Sequence, residues 1–431
     1  MTRTWGRRIA TVGTIGALAL TMTGCSPPLD ETFGGGDGIV TTRPSSTGWN
    51  TADAVAVQPD GKIVVYVGDG NFGSPVALVR LETDGTPDPT FGAGGTVLTD
   101  QQTAYGGCAD LAVAPDGGYL MVVDTVDGDG DSRSSIVRYH ADGTRDEAFG
   151  DDGVAVVPGD GLACGLDVQP DGRIVAGGSS GEGALTARWT PDGQPDPSYG
   201  GDGVGEPFPG PNVFRVYGTV EADVQPDGGI VAVGTAMYLH TGDVYGTVLR
   251  YRPDGTLDPA FGQDGWVLTS AATGGLDGVA TRPDGRVVVF GNQLPMSHAD
   301  PRGFLVAQIT ADGTLDPTFG PAGTGVATAV DGGTARDMAL LDDGDVVVVG
   351  GTAPGGIHDG FLLARFTPEG DLDDGFADHG VGTTDAYPTD EAAYAIVAQP
   401  DGKLVVAGSV GDDNPATFGS LAGVYRYDAG G

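Results

Sequence analysis

The sequence predicts an all-β protein, a seven-bladed β-propeller with four antiparallel strands per blade, in which the N-terminal strand closes the last blade. Two turn signatures predict this fold, because each recurs seven times in one regular register along the 431 residues. A mean spacing of about 57 residues suits one four-stranded blade with its loops better than a helical or leucine-rich repeat. The chain ends add a third observation, since each holds part of one incomplete repeat.

The first signature is Pro-Asp-Gly, which suits tight hairpins because Pro presets φ, Asp bonds nearby backbone and Gly accepts positive φ. It begins at positions 59, 115, 170, 226, 283 and 400, and Asp-Asp-Gly replaces it at 342. The second signature, D-x-x-F-G or a close variant, repeats in phase with the first. It begins at Asp30, Asp88, Asp146, Asp196, Asp258, Asp316 and Asp373.

These signatures divide each repeat into four strands, here named a to d, and blade 1 is the first complete repeat. Its predicted strands are 53–58, 62–67, 76–82 and 91–98. Small residues in strand a place that strand at the crowded axis. The continuous apolar run of strand b predicts burial on both faces, which leaves strand d as the polar outer edge.

The two ends of the chain complete one another. The N-terminal part supplies a D-x-x-F-G signature and a strand at Ile39–Val40, whereas the last repeat stops after strand c, at Tyr427. Pairing the two closes the ring and protects edges that an open sheet would expose. We therefore expect residues 29–431 to form one propeller and the protein to be a monomer.

The N-terminus has the features of a targeting segment. Residues 1–24 combine a basic start with an apolar stretch from Ile9 to Met22, which is too short for a spanning helix and indicates a signal peptide. Residues 22–25 resemble a bacterial lipobox, so residues 25–28 are interpreted as a lipidated Cys25 with a short tether. The alternative is an ordinary cleaved signal with a chance cysteine, and the export route stays open. We expect a lipid-anchored protein on the extracytoplasmic face of the cell membrane.

The net charge of −38 limits the classes of partner. Such a surface repels nucleic acid and anionic lipid headgroups. We therefore expect no nucleic-acid partner, and contact with the membrane through the lipid anchor only.

The repeat resembles that of the delta-60 repeat family of bacterial extracytoplasmic proteins. Residues 56–65, AVQPDGKIVV, and residues 396–406 fit its pattern almost residue by residue. The resemblance covers nearly everything after Cys25. It implies a surface propeller and says little about what the protein binds or does.

An arginine recurs at one position of strand c in six blades, with Gln308 in the seventh. The six are Arg80, Arg138, Arg188, Arg250, Arg365 and Arg426. A catalytic arginine is needed only once, so we predict a structural contact with the D-x-x-F-G aspartate of the same blade. That aspartate lies eight residues later in the six blades where strand d follows. The neutral Gln308 suggests that the position tolerates change.

The b–c loops and d–a crossovers vary in length and chemistry, and we call the end of the propeller that carries them the variable face. The opposite end, with the a–b and c–d turns, is the turn face. A partner site is expected on the variable face, as rigid scaffolds carry function on variable loops. Its candidate ligand-binding aromatics are Trp49, Tyr105, Phe214, Tyr217, Tyr387 and Tyr394. The alternative is that they fill the spaces between inner strands.

Two further groups of residues suggest sites. Asp127, Asp129 and Asp131 have the alternating spacing that suits one Ca²⁺ ion, with a solvated Asp/Gly loop as the alternative. Cys108 and Cys164 are one repeat apart and form a candidate disulfide, with two free thiols as the alternative. Three loop histidines, His240, His298 and His358, are expected to lie too far apart to share a zinc ion.

The function expected from these features is binding or scaffolding of a protein or a carbohydrate at the cell surface. No P-loop, H-E-x-x-H or C-x-x-C motif supports an enzyme. The alternative is a secreted propeller enzyme (hydrolase, lyase or quinone-dependent dehydrogenase) with a Ca²⁺ site near the axis. It predicts converging polar side chains in the channel, for instance Asp277, Arg336 and Asp337.

Overall fold

The computed structural model describes most of the chain from Ser26 onward. The described ranges are 26–45, 48–69, 74–102, 109–126, 132–158, 161–180, 183–208, 214–269, 274–293, 303–329, 333–352, 360–387, 391–412 and 419–428. Residues 1–24, Cys25, Tyr105, Cys108 and the three loop aspartates fall outside them. Within these ranges no helix is long and apolar enough to cross a membrane.

Seven separate antiparallel sheets form the seven blades. Blade 1 contains β2 (Asn50–Val57), β3 (Ile63–Asp69), β4 (Pro75–Leu81) and β5 (Thr96–Gln102). Blade 2 contains β6 (Asp110–Val113), β7 (Tyr119–Val126), β8 (Ser132–Tyr139) and β9 (Val154–Val156). Blade 3 contains β10 (Leu162–Val168), β11 (Ile174–Ser180) and β12 (Gly183–Trp189). Blade 4 contains β13 (Phe214–Val224), β14 (Ile230–Tyr238), β15 (Val244–Tyr251) and β16 (Trp266–Leu268).

The remaining blades follow the same order from axis to rim. Blade 5 contains β17 (Leu276–Thr281), β18 (Val287–Asn292), β19 (Phe304–Ile309) and β20 (Val326–Ala329). Blade 6 contains β21 (Gly333–Leu340), β22 (Val346–Thr352), β23 (Phe361–Phe366) and β24 (Val381–Thr384). Blade 7 contains β25 (Ala392–Ala398), β26 (Leu404–Gly411) and β27 (Ser420–Tyr427), and β1 (Ile39–Thr42) is its outer strand. The predicted seven-bladed fold is confirmed.

Ring closure joins the two ends of the chain as predicted. β1 pairs antiparallel with β27, with Val40 opposite Val424. The bond from the Asp30 amide to the Arg426 carbonyl, 2.8 Å, extends this contact towards the N-terminus. The first and last segments therefore share one sheet, and blade 7 has no free edge on β27.

The predicted blade needs two corrections. In blade 1, strand d is Thr96–Gln102 rather than 91–98, because the residues after Phe91 form a turn in which three glycines have positive φ. In blade 3, the position of strand d is reduced to a bridge between Ala187 and Val204. The chain then leaves the sheet, since the Glu206 amide donates to Gly255 O of blade 4 at 2.8 Å.

Strand b is the buried centre of each blade, as its apolar run predicts. β3 is buried along its whole length. The apolar core lies between blades rather than within one, because the faces of neighbouring sheets pack together. Val65 and Val79 of blade 1, for example, share a buried cluster with Val405 and Val424 of blade 7.

The repeated turn aspartates cap their own hairpins. In all seven a–b turns one carboxylate oxygen of the Asp accepts a bond from the amide two residues later, at 2.9–3.2 Å. The seven acceptors are Asp60, Asp116, Asp171, Asp227, Asp284, Asp343 and Asp401. This geometry explains the aspartate of Pro-Asp-Gly without a ligand.

The strand-c arginines make the predicted contact with the D-x-x-F-G aspartates. Arg80 Nε lies 2.7 Å from the Asp88 carboxylate and Arg188 Nε lies 2.8 Å from that of Asp196. The same guanidinium also reaches the next blade, since Arg188 donates to the Pro253 carbonyl at 2.8 Å. The prediction of a structural contact is confirmed, and the contact joins neighbouring blades as well as ordering one turn.

Candidate functional site

The inner strands enclose a channel of about 370 Å³ on the propeller axis. Its wall carries carboxylates from five blades: Asp53, Asp110, Glu221, Asp277 and Asp337. Each precedes its a–b turn signature by five or six residues. This recurring offset was the sequence signal for the channel, and our sequence interpretation did not use it.

Several acidic side chains near the axis link adjacent blades. Asp110 accepts a bond from the Leu166 amide of the next blade at 2.7 Å, and Asp337 accepts one from Ile396 at 2.8 Å. Asp167 does the same for Val224 at 2.9 Å. Inner strands of neighbouring blades belong to separate sheets, so these amides need a side-chain acceptor. The carboxylates therefore accept hydrogen bonds from backbone amides that have no partner within their own sheets.

The second oxygen of each linking carboxylate accepts a hydrogen bond from an amide of its own strand. Asp110 accepts from the Leu111 amide at 2.7 Å, and Asp337 accepts from the Met338 amide at 2.7 Å. Both oxygens are thus engaged by backbone amides, which fixes the carboxylate between two blades.

Burial raises the pKa of these groups, because the narrow channel disfavours their charged form. It raises the pKa of Asp53 and of Asp110 to about 6, and that of Asp337 to about 7. The pKa of Glu221 lies well above its usual range, first through burial and then through the negative charge of Asp337 and Asp110. The charge of the channel therefore changes across the neutral pH range.

Glu221 occupies space that glycines of two other blades leave open. A Cβ atom on Gly278 would lie 2.2 Å from the Glu221 carboxylate, and one on Gly165 would lie 2.9 Å from its Cγ. A larger residue at Gly278 would therefore clash with both the Glu221 carboxylate and the Phe290 ring, which lies 2.1 Å from the same Cβ position.

The polar residues that the enzymatic alternative places in the channel do line it together. Asp277 accepts a bond from Asn292 at 2.7 Å, and Asn292 accepts one from the Ala335 amide at 2.8 Å. The guanidinium carbon of Arg336 lies 5.6 Å from the centre of the Tyr394 ring, within the range of a cation–π contact. These side chains are tied to one another and to neighbouring strands.

Of the six aromatics predicted for the ligand face, Trp49 is 55% exposed and Tyr394 lines the channel. Tyr387 packs against the core between blades 6 and 7, and its amide donates to the buried Glu391. It therefore fits the packing alternative. Tyr105 and the side chains of Phe214 and Tyr217 lie outside the described residues.

The variable face carries exposed apolar side chains. Leu162 begins β10 there, and the hairpin tip between β14 and β15 presents Leu239, which is 50% exposed. Beside it, the Tyr238 and His240 rings stack with centroids 5.4 Å apart. Two other exposed apolar residues, Leu98 and Val156, lie on outer strands.

The described residues contain no candidate metal site. No group of three or more His, Cys, Asp or Glu side chains able to hold a metal ion occurs within the ranges given above. The Ca²⁺ candidates Asp127, Asp129 and Asp131 fall outside those ranges. His298 and His358 also lie outside them.

Cys164 is disulfide-bonded and lies on the channel wall. Its predicted partner Cys108 is outside the described residues, as is the predicted lipidation site Cys25. The pairing and the lipidation stay predictions.

Comparisons with solved structures return proteins whose names indicate different roles. Drosophila Plexin A, in complex with Semaphorin 1b, is 11% identical, with 94% of this chain and 88% of that chain covered and a TM-score of 0.47. A polysaccharide lyase of family PL25, an ulvan lyase, is 10% identical over 95% and 94%, with a TM-score of 0.47. The Penicillium chrysogenum α-L-arabinanase is 9% identical over 95% and 98%, with a TM-score of 0.41. At these TM-scores the similarities carry no argument about this chain.

A comparison with curated proteins gave no match. Six segments match a family described as "Domain of unknown function (DUF5122) beta-propeller", at residues 58–91, 114–149, 169–199, 225–261, 282–319 and 399–422. Blade 6, which is not among them, has Asp342 in place of Pro and Ala377 in place of Gly. The chain is therefore a β-propeller repeat protein in which segments of blades 1 to 5 and 7 match this family.

Proposed function

We propose that this protein is an extracytoplasmic lipoprotein of the delta-60 repeat type, tethered to the membrane by Cys25, that binds a partner on its variable face. The observation that carries the proposal is the placement of Trp49, Leu162 and Leu239, which are exposed on that face. Exposed aromatic and aliphatic side chains on a rigid scaffold are typical of binding surfaces. A protein partner suits this mixture better than a carbohydrate, because the aliphatic side chains add contact area without a hydrogen-bonding group.

The contacts of the turn face support the proposal that this face is structural and that the variable face binds the partner. Its aspartates are used in capping the hairpins, and its arginines hold neighbouring blades together. The variable face is therefore free to differ between repeats without loss of the ring.

The enzymatic alternative rests on the channel. Asp277, Arg336 and Asp337 converge there, but Asp337 already joins blade 6 to blade 7. Asp277 holds Asn292 of its own blade, which in turn bonds to Ala335 of blade 6. The string GGSSG at 177–181 has the spacing of a nucleophile elbow. Its described residues lie in β11, however, whereas that motif requires a strand-to-helix turn. We propose no reaction.

Photocrosslinking on living cells tests the proposal. A photoreactive amino acid is placed at Trp49 or Leu239, and, as matched controls, at Leu98 or Val156, which are equally exposed on outer strands. We expect one protein adduct from both variable-face positions and none from the controls. Equal labelling from all four positions would contradict a variable-face site. A carbohydrate partner would instead give glycan-array binding that Trp49→Ala removes.

The anchor is tested separately by cell fractionation. We expect the wild-type chain in the membrane fraction and Cys25→Ala in the soluble extracytoplasmic fraction. The same distribution for both proteins would refute the lipid anchor and leave the binding face untouched.

A further inference from the structure

The residues that follow Cys25 lie against the outer rim of the propeller. Ser26 Oγ donates to the Thr383 carbonyl of β24 at 2.5 Å. Pro27 is buried and lies so close to Gly382 that a Cβ there would be 2.4 Å from its ring. The docking contacts therefore begin with the first residue after the predicted lipidation site.

The same segment continues into the sheet that closes the ring. The Asp428 amide donates to the Pro28 carbonyl at 3.0 Å, and Leu29 forms a bridge with Tyr427. Residues 26–29 thus run beside the outer strand of blade 6 and enter blade 7. They are uncharged, in contrast to the strongly acidic chain as a whole.

Covalent geometry then limits how far the anchor can be from the rim. Consecutive Cα atoms are about 3.8 Å apart, so Cys25 lies within that distance of the docked Ser26. A free linker of several residues would allow the propeller to tumble above the bilayer, whereas this connection has no such length.

We propose that the bilayer surface is a contact partner of the rim formed by blades 6 and 7, with the propeller held edge-on, rather than a partner of the lipid anchor alone as the sequence led us to expect. This inference rests on the proposed function, since it needs acyl chains on Cys25. In this orientation the axis lies roughly along the membrane plane. The variable face then points sideways, towards partners attached to the same membrane.

Energy transfer to labelled lipids tests the orientation. The lipidated chain is reconstituted in phosphatidylcholine vesicles that contain an acceptor dye on a small fraction of headgroups. A donor dye is attached at Asp374→Cys in blade 6 or at Glu147→Cys in blade 2, exposed residues at the same position of the repeat. Cys164 is disulfide-bonded, and the parent chain without an added cysteine gives the labelling background.

We expect several-fold stronger transfer from position 374 than from position 147. Inserting a flexible Gly/Ser linker of about ten residues between Ser26 and Pro27 keeps the lipidation site and should make the two positions equal. Equal transfer in the unmodified, vesicle-bound chain would overturn the edge-on orientation alone. A chain that does not bind vesicles would overturn the anchor, and with it this inference.

Discussion

In blade 5 an arginine and a glutamine have exchanged the two positions that they occupy in four other blades. Four blades have Gln before Pro-Asp-Gly, and all blades but this one have Arg on strand c. In blade 5, Arg282 donates to Gln308 at 2.6 Å, and Gln308 donates to Asp316 at 2.8 Å. Arg282 also reaches the Gly344 carbonyl of the next blade at 2.7 Å. Gln308 is therefore a compensated exchange, and our interpretation that the position tolerates change was incomplete.

A double-mutant cycle tests the exchange. Gln308→Arg alone crowds two guanidinium groups, and Arg282→Gln alone removes the bond to blade 6. We expect each to lower the free energy of unfolding by about 1–3 kcal/mol, the range for a disrupted buried polar group. The double variant restores the arrangement of the other blades and should lose less than either single variant in urea denaturation. Additive losses would show that the two sites are independent.

The channel carboxyls predict an unusual dependence of stability on pH. A carboxyl whose pKa is raised by folding stabilises the protein most below its unfolded value of about 3.9, and that stabilisation is lost as the pH rises through the folded value. With about 6 for Asp110 and about 7 for Asp337, the free energy of unfolding should increase as the pH falls from about 8 to about 5.

The trend should reverse below about pH 4. Hydrogen bonds from Lys403, Thr32 and Arg426 outweigh burial and hold the pKa of Asp30 well below its usual range. Its stabilisation is present above the unfolded value and is lost on protonation. Thermal unfolding against pH should thus show a maximum near pH 5.

Glu221→Gln should flatten the part of this profile above pH 5, since it removes the carboxyl with the strongly raised pKa. Glu147→Gln, on the surface of blade 2, removes the same charge and is the matched control. Equal effects of the two variants would attribute the profile to general surface repulsion instead.

At the scale of the element, each D-x-x-F-G signature meets the c–d turn of the neighbouring blade. The ring of the D-x-x-F-G residue packs on the glycine of the next blade's c–d turn, as Phe91 does on Gly143. The following glycine donates to the carbonyl beside it, as Gly150 does to Asp192 at 2.8 Å. The D-x-x-F-G signature recurs once per blade because each copy completes a contact with the next blade.

Gly143→Ala tests this contact. Gly143 has φ +86°, and an added Cβ would lie 2.8 Å from the Phe91 ring. Gly402, with φ +85°, has open space around the same atom and is the matched control. We expect Gly402→Ala to cost about 1–2 kcal/mol for the left-handed backbone alone and Gly143→Ala to cost clearly more. Equal shifts of the thermal midpoint would remove packing from the explanation.

Strands a and b could be predicted from the sequence because hydrophobic runs and turn residues are local signals. Strand d could not be placed correctly, since Phe91 belongs to a turn that forms only against the next blade. The role of the channel carboxylates as acceptors was missed for a similar reason. The acceptor role of Asp110 depends on an amide 56 residues away, and only its recurring offset from the a–b turn distinguishes it from surface aspartates in the sequence.

At the scale of the whole molecule, the ring is held by contacts that each join one blade to the next. Closure between β1 and β27 lets these contacts run around the full circle. An open ring would expose the edge of β27 and the buried cluster shared by blades 1 and 7. Both the rigid variable face and the docked N-terminal segment depend on this closure.

Amide hydrogen exchange of β1 is the most direct test of the closed ring. β1 and β24 occupy the same outer position in blades 7 and 6 and have equal length, so β24 is an internal reference. The account predicts that Ile39–Thr42 exchanges as slowly as Val381–Thr384, because opening the closure opens the ring. Rapid exchange of Ile39–Thr42, as in a frayed terminus, beside a protected β24 would contradict it.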